Sequence, residues 1–120
     1  MKLFLIGPIS HGGTLTLEKI HLNVSRFLYY AEKLEGMGYT VVHEAIARER
    51  EKERVTWEAA MKRSIIRMLS CDAVYLLPGW QRSRGARLEV FIAGEIGLPI
   101  VATPLEDREE SVGESGDLRD

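Results

Sequence analysis

Apolar and polar positions along the chain change period several times, and each change marks an element. "KLFLI" at 2–6 is an unbroken apolar run, short enough for a strand buried on both faces. "GPISHGG" at 7–13 follows, and Gly7, Pro8, Gly12 and Gly13 predict an irregular loop. From Val24 the positions Val24, Phe27, Leu28, Ala31 and Leu34 keep helical spacing, with Asn23 as the N-cap and "GMG" at 36–38 as the stop. "YTVVH" at 39–43 reads as a second, β-branched strand.

"REREKER" at 48–54 alternates in sign and predicts a solvated helix or loop. Because it follows the carboxyl end of a strand, it is also a candidate lid. Thr56 then caps a helix whose apolar stripe is Trp57, Met61, Ile65, Met68 and Leu69, with Glu58 in the first turn. Ser64 falls on that stripe. "AVYLL" at 73–77 is the third strand, 84–96 a further helix, and "PIVAT" at 99–103 a fourth strand after Gly97.

Strands alternating with helices predict an α/β fold, a flavodoxin- or Rossmann-like doubly wound parallel sheet of four to five strands in the order 2-1-3-4. Ligands of such sheets enter at the carboxyl ends, where the chain reverses direction between the first and third strands. "GPISHGG" and "PGWQRSRG" at 78–85 meet at that crevice.

At 120 residues the chain suits one domain, read here as 1–105 with an acidic, disordered tail at 106–120. No apolar run approaches the ~20 residues of a membrane helix, so no membrane partner is expected. The net charge is −2, but the tail alone holds seven acidic and two basic residues, which leaves the rest at +3. That excess is too small for a nucleic-acid duplex and suits a small anion. Cys71 is the only cysteine, which excludes an internal disulfide and fits the cytoplasm. His11, His21 and His43 show no ligand spacing, so no metal or cofactor is expected.

The segment 78–85 feeds a helix whose first turn carries free N–H groups and the positive end of the helix dipole. Ser83 can cap that helix or donate to a phosphate oxygen, and Arg82, Arg84 and Arg87 surround it with permanent charge. "GPISHGG" offers a second glycine-lined set of donors, with Ser10 and His11 in reach. Neither loop is a Walker or dinucleotide fingerprint, which argues against a P-loop kinase and a standard NAD dehydrogenase. Glu89 lies six residues beyond Ser83, too far for a capping box. Its helical neighbours Gly85, Ala86 and Ala93 are small, leaving room beside the carboxylate for a ligand, where it can act as nucleophile or as acid and base. The alternative is a surface glutamate paired with Arg87. Trp57 and Trp80 can stack on a base or pack against the core.

With these residues the chain resembles the nucleoside 2-deoxyribosyltransferase superfamily, in particular a small subgroup found in phage and bacterial genomes. The resemblance is carried by "FLIGPIS", "LEGMGYTVV", "TWEAAMKRSIIRMLSCDAVYLLPGW" and "SRGARLEVFIAGEIGLPIV". It implies that Glu89 attacks the anomeric carbon, giving a glycosyl-enzyme intermediate that a second base or water resolves. It also implies a homodimer or higher homo-oligomer. Members that act on 5'-monophosphates are similar in having serine at Ser83 and a glycine-rich first loop on the phosphate. The implied ligand is therefore a nucleotide or nucleoside held by Gly7, Ile9, Ser10, His11, Gly12, Ser83, Arg84 and Gly85.

Two departures stand out. The superfamily usually has aspartate eight residues before Asp72, where this chain has Ser64, and tyrosine three residues before Gly7, where it has Phe4. A serine cannot protonate a leaving base as a carboxylic acid does. His11, Glu58 and Asp72 are substitute acids, although Asp72, at a strand's start, is better placed to cap or pair. The expected function is therefore an N-glycosidase or deoxyribosyltransferase on a (deoxy)nucleoside 5'-monophosphate. The alternatives are a nucleotide-binding module without turnover and a purely structural domain.

Overall fold

A computed structural model describes residues 1–10, 15–51 and 54–102. Four strands, β1 (Lys2–Ile6), β2 (Thr40–Val42), β3 (Ala73–Leu76) and β4 (Ile100–Val101), form one all-parallel sheet in the order β2-β1-β3-β4. This is the expected doubly wound, Rossmann-like α/β fold. The helices are α1 (Leu17–Gly36), α2 (Ala45–Glu51), α3 (Trp57–Leu69) and α4 (Arg84–Glu95), and a 3-10 turn spans Trp80–Arg82. The tail at 106–120 lies outside the described residues.

The alternation of side chains along β1 divides the core in two. Leu3 and Leu5 point to one face and pack with Val24, Phe27, Tyr30, Ala31 and Leu34 of α1. Phe4 and Ile6 point to the other and pack with Met68 of α3 and Ala86 and Ala93 of α4. Phe4, where a tyrosine was the familiar residue, is therefore a core side chain, 1% exposed. All four residues of β3 are buried as well, so the two central strands read as apolar runs, whereas Ile100 and Val101 on the β4 edge stay exposed.

Several sequence boundaries shift. Helix α1 begins seven residues before Val24, capped by Thr16, whose Oγ1 accepts from Lys19 N at 3.3 Å. The extra turns carry exposed Leu17 and Leu22, so they leave no apolar stripe to detect. Asn23 is not a cap but a tether, its Nδ2 donating to Ile9 O at 2.9 Å. Leu28 and Leu69, placed on apolar stripes by periodicity, are exposed, and Tyr30 is buried instead. The β2 and β4 strands are shorter than their apolar runs. Thr56 caps α3 as expected, its Oγ1 accepting from Ala59 N at 3.1 Å. Asp72 pairs structurally: its Oδ2 accepts from Lys2 N at 2.7 Å, joining the starts of β1 and β3.

Where β1 ends, the backbone runs close to Leu77. A Cβ at Gly7 would lie 3.0 Å from Leu77 Cβ and 3.4 Å from Phe27 Cε1. Gly7→Ala is expected to lower stability by about 1–3 kcal/mol through overpacking. A reduced urea midpoint with an unchanged m-value checks it.

Candidate functional site

The carboxyl ends of β1, β2 and β3 open into a cavity of about 420 Å³, within the range that holds a small ligand. Gly7, Ile9 and Ser10 enter it from the β1 loop, Glu44 and Arg48 from the β2–α2 segment, and Trp57, Met61 and Ser64 from α3. Arg82, Ser83, Arg84, Gly85, Ala86, Arg87 and Glu89 complete the wall from the β3 side. Of the residues expected from sequence, Gly7, Ile9, Ser10, Ser83, Arg84, Gly85 and Glu89 thus share one cavity. His11 and Gly12 lie outside the described residues. Glu58 is exposed on α3 and Trp80 packs on the sheet core, and neither lines the cavity.

Helix α4 begins as the sequence suggests. Gly79, at φ +84°, turns the chain after β3, in a left-handed conformation that favours glycine. Ser83 Oγ then accepts from Ala86 N at 3.3 Å and caps the helix. Ser83 N is used by Trp80 O, at 3.0 Å. The N–H groups of Arg84 and Gly85, in the first turn, have no acceptor within the helix, and both residues line the cavity. The three arginines are not equivalent. Arg84 lies over the Trp57 ring, 3.8 Å from its centroid, and Arg87 Nη1 donates to Gln81 O at 2.9 Å.

Glu89 is buried, at 7% exposure, and accepts a short hydrogen bond from Ser64 Oγ of α3. Burial raises its pKa to about 7, against the lowering by the Ser64 hydroxyl and the Arg48 charge. It is not the surface glutamate paired with Arg87 that the sequence left as the alternative.

Of the small residues near Glu89, Gly85 and Ala86 line the cavity with it as expected, and Ala93 does not. Ala93 is fully buried in the core, and a Cβ at Gly85 would meet Met61 Sδ at 2.9 Å. They bring α4 close to α3 and to the sheet, which places Glu89 beside Ser64, and only Gly85 and Ala86 face the cavity.

Two cavity residues escaped the sequence. Glu44 is 3% exposed, and its carboxylate accepts from Arg63 Nε at 2.5 Å and from Arg67 Nη1. Arg63 also binds Glu51 with both terminal nitrogens, Nη2 at 3.0 Å, so α2 is fastened to α3. Arg48, from the alternating charge run read as surface or lid, lies in the wall with Nη2 donating to Ser10 Oγ at 3.2 Å. The signal available was position, since the first helix turns after a strand's carboxyl end overhang the crevice.

A four-stranded all-parallel sheet in the order β2-β1-β3-β4, with a cavity at its carboxyl edge, defines the Rossmann-like α/β class. More narrowly, the chain matches the model of the family described as Domain of unknown function (DUF4406) over residues 1–102, and it belongs to that family. No curated protein and no solved structure matches it.

The raised pKa of Glu89 fixes the sign of a stability change. A carboxyl whose folded pKa, about 7, exceeds its ordinary value of 4.5 stabilises the fold while protonated and loses that contribution as pH rises through about 7. Glu89→Gln cannot ionise and keeps an acceptor for Ser64. The variant is therefore expected to be more stable than the parent above pH 7, by no more than about 3 kcal/mol, and equal to it below about pH 4.5. Paired thermal melts across this range check it.

Proposed function

We propose that the protein cleaves the N-glycosidic bond of a (deoxy)nucleoside 5'-monophosphate, as hydrolase or transferase, with Glu89 as the nucleophile. The observation that carries this reading is a buried, cavity-facing carboxylate on the same helix whose capped amino end and Ser83 lie in the same wall. The likeness of the motifs around Ser83 and Glu89 to the nucleoside 2-deoxyribosyltransferase superfamily supports it.

An oxocarbenium-like centre needs an anion on one face. Glu89 meets that need once ionised, and its burial keeps water from competing for the carboxylate. The phosphate sits on Ser83, on the free N–H groups of α4 and on the Gly7–Ser10 turn, which fixes the sugar relative to Glu89. Trp57, stiffened by Arg84, supplies an aromatic wall. The same reading carries a homodimer or higher homo-oligomer, which the exposed Leu22, Tyr29, Phe91 and Ile96 support.

A second reading, nucleotide binding without turnover, is favoured by one observation. Glu44 and Glu89 are the carboxylates in the cavity wall, and Glu44 is committed to two arginines, so no free carboxylic acid stands beside the nucleophile among the described residues.

Incubation with a panel of nucleoside monophosphates is expected to release free base, read by chromatography, with kcat/KM rising as pH passes through about 7. Glu89→Gln should abolish release, and release that survives it removes Glu89 from this role. Ser83→Ala should raise KM for monophosphates by about tenfold and leave free nucleosides unaffected. Tight calorimetric binding without product, with hydrolysis gained in Ser64→Asp, would establish the second reading instead.

A further inference from the structure

Arg48 is a cavity cation that the chemistry above leaves unused. It stands on α2, half-buried, in the same wall as Glu89. Of its five N–H donors one is engaged among the described residues, by Ser10 Oγ at 3.2 Å. The acidic groups around it are held elsewhere: Glu44 by Arg63 and Arg67, Glu51 by Arg63, and Glu89 by the Ser64 hydroxyl. No carboxylate among the described residues lies within ion-pairing distance of Arg48.

A guanidinium stays charged in proteins, so withdrawing it from water without a counter-ion is unfavourable unless the cavity's occupant brings negative charge. Burial is the first cause of the downward shift in its pKa, ahead of the upward pull of Glu51.

Topology says where along the ligand that charge belongs. The order β2-β1-β3 puts α2 on one side of the β1 loop and the amino end of α4 on the other. Arg48 and the Ser83 cluster therefore flank the loop from opposite sides of one cavity, which Glu89 also lines. Arg48 touches the loop at Ser10, its α2 edge, so a nucleotide whose phosphate lies between that loop and Ser83 has the α2 side of the cavity left for its base.

We propose that Arg48 holds the base of the nucleotide as it departs, supplying as a fixed cation the stabilisation that a carboxylic acid at position 64 would supply as a proton. This rests on the glycosidase reading above. A Glu89 carboxylate oxygen bonds to the anomeric carbon, and the C–N bond breaks with its electron pair passing to the base nitrogen. The base leaves as an anion against the guanidinium. Water then cleaves the glycosyl ester, its hydroxyl going to the sugar and its remaining proton to the base, and the Glu89 carboxylate is regenerated.

A cation that gives up no proton favours bases whose anions are already stable. The substrate class is therefore 5'-monophosphates of acidic imide pyrimidines, in preference to those of cytosine or adenine.

The test uses deoxynucleoside 5'-monophosphates of 5-fluorouracil, uracil, thymine and cytosine, the first three in order of falling acidity at the departing nitrogen. The intact protein is expected to release base in that order, with cytosine slowest. Arg48→Gln should lower kcat about 10²–10³-fold on thymine and less on 5-fluorouracil, so that the dependence on acidity steepens. Arg48→Lys should recover part of the loss, which separates lost charge from a loosened α2, and thermal melts of both variants are read alongside. An Arg48→Gln effect confined to KM and equal for all four bases would overturn the proposal, as would cytosine leaving as fast as uracil. Base release from no nucleotide removes the glycosidase reading and this proposal together, whereas release indifferent to Arg48 removes this proposal alone.

Discussion

A carboxylate taken out of water has to be compensated by whatever surrounds it, and the surroundings of Glu89 organise one end of this molecule. Its partner is a hydroxyl, Ser64, delivered by α3. For that hydroxyl to reach it, α3 and α4 must approach closely, and they do so because Gly85 leaves its side-chain space to Met61. A side chain at position 85 would meet Met61 Sδ at 2.9 Å and displace the methionine that fills the space between the two helices. The helix packing and the chemistry of the carboxylate are thus a single constraint, met by a glycine, a methionine and a serine that mean little individually.

A second buried carboxylate, Glu44, is treated in the opposite way. Two guanidinium groups from α3 bind it, and one of them, Arg63, also reaches Glu51 on α2. The pull of Arg63 holds the Glu51 carboxyl below its ordinary pKa, and the two glutamates push the Arg63 guanidinium further up. Glu44 is therefore structural, fixing the wall on the α2 side, while Glu89 keeps a pKa near neutrality. Two acids in one cavity wall thus differ in their partners, two guanidinium groups for Glu44 and one hydroxyl for Glu89.

The sheet was legible because its central strands are buried on both faces and leave uninterrupted apolar runs, "KLFLI" and "AVYLL", between turn residues. The Ser83 cap and the Glu89 face were legible from position relative to a strand end. Features held by polar contacts were not. Thr16 opens α1 ahead of the exposed Leu17, Glu18 and Lys19, so a search for apolar period starts the helix at Val24, about two turns late. Glu44 and Arg48 belong to a charged stretch that is solvated in most proteins, and only the arginines of a distant helix and the overhang above the crevice make these two exceptions. Spacing along one segment cannot report a partner twenty or forty residues away.

The cavity wall is drawn from residues 7 to 89, and its contributors are joined by parallel pairings whose partners lie far apart in sequence. No single hairpin or helix pair contains it. On the ribosome the early strands emerge with nothing to bind, and the recess closes only after α4 has cleared the exit tunnel and docked beside α3. The recess is therefore complete only when the whole sheet is, and a chain stalled before residue 89 emerges carries most of the wall, Glu44 included, yet lacks Glu89.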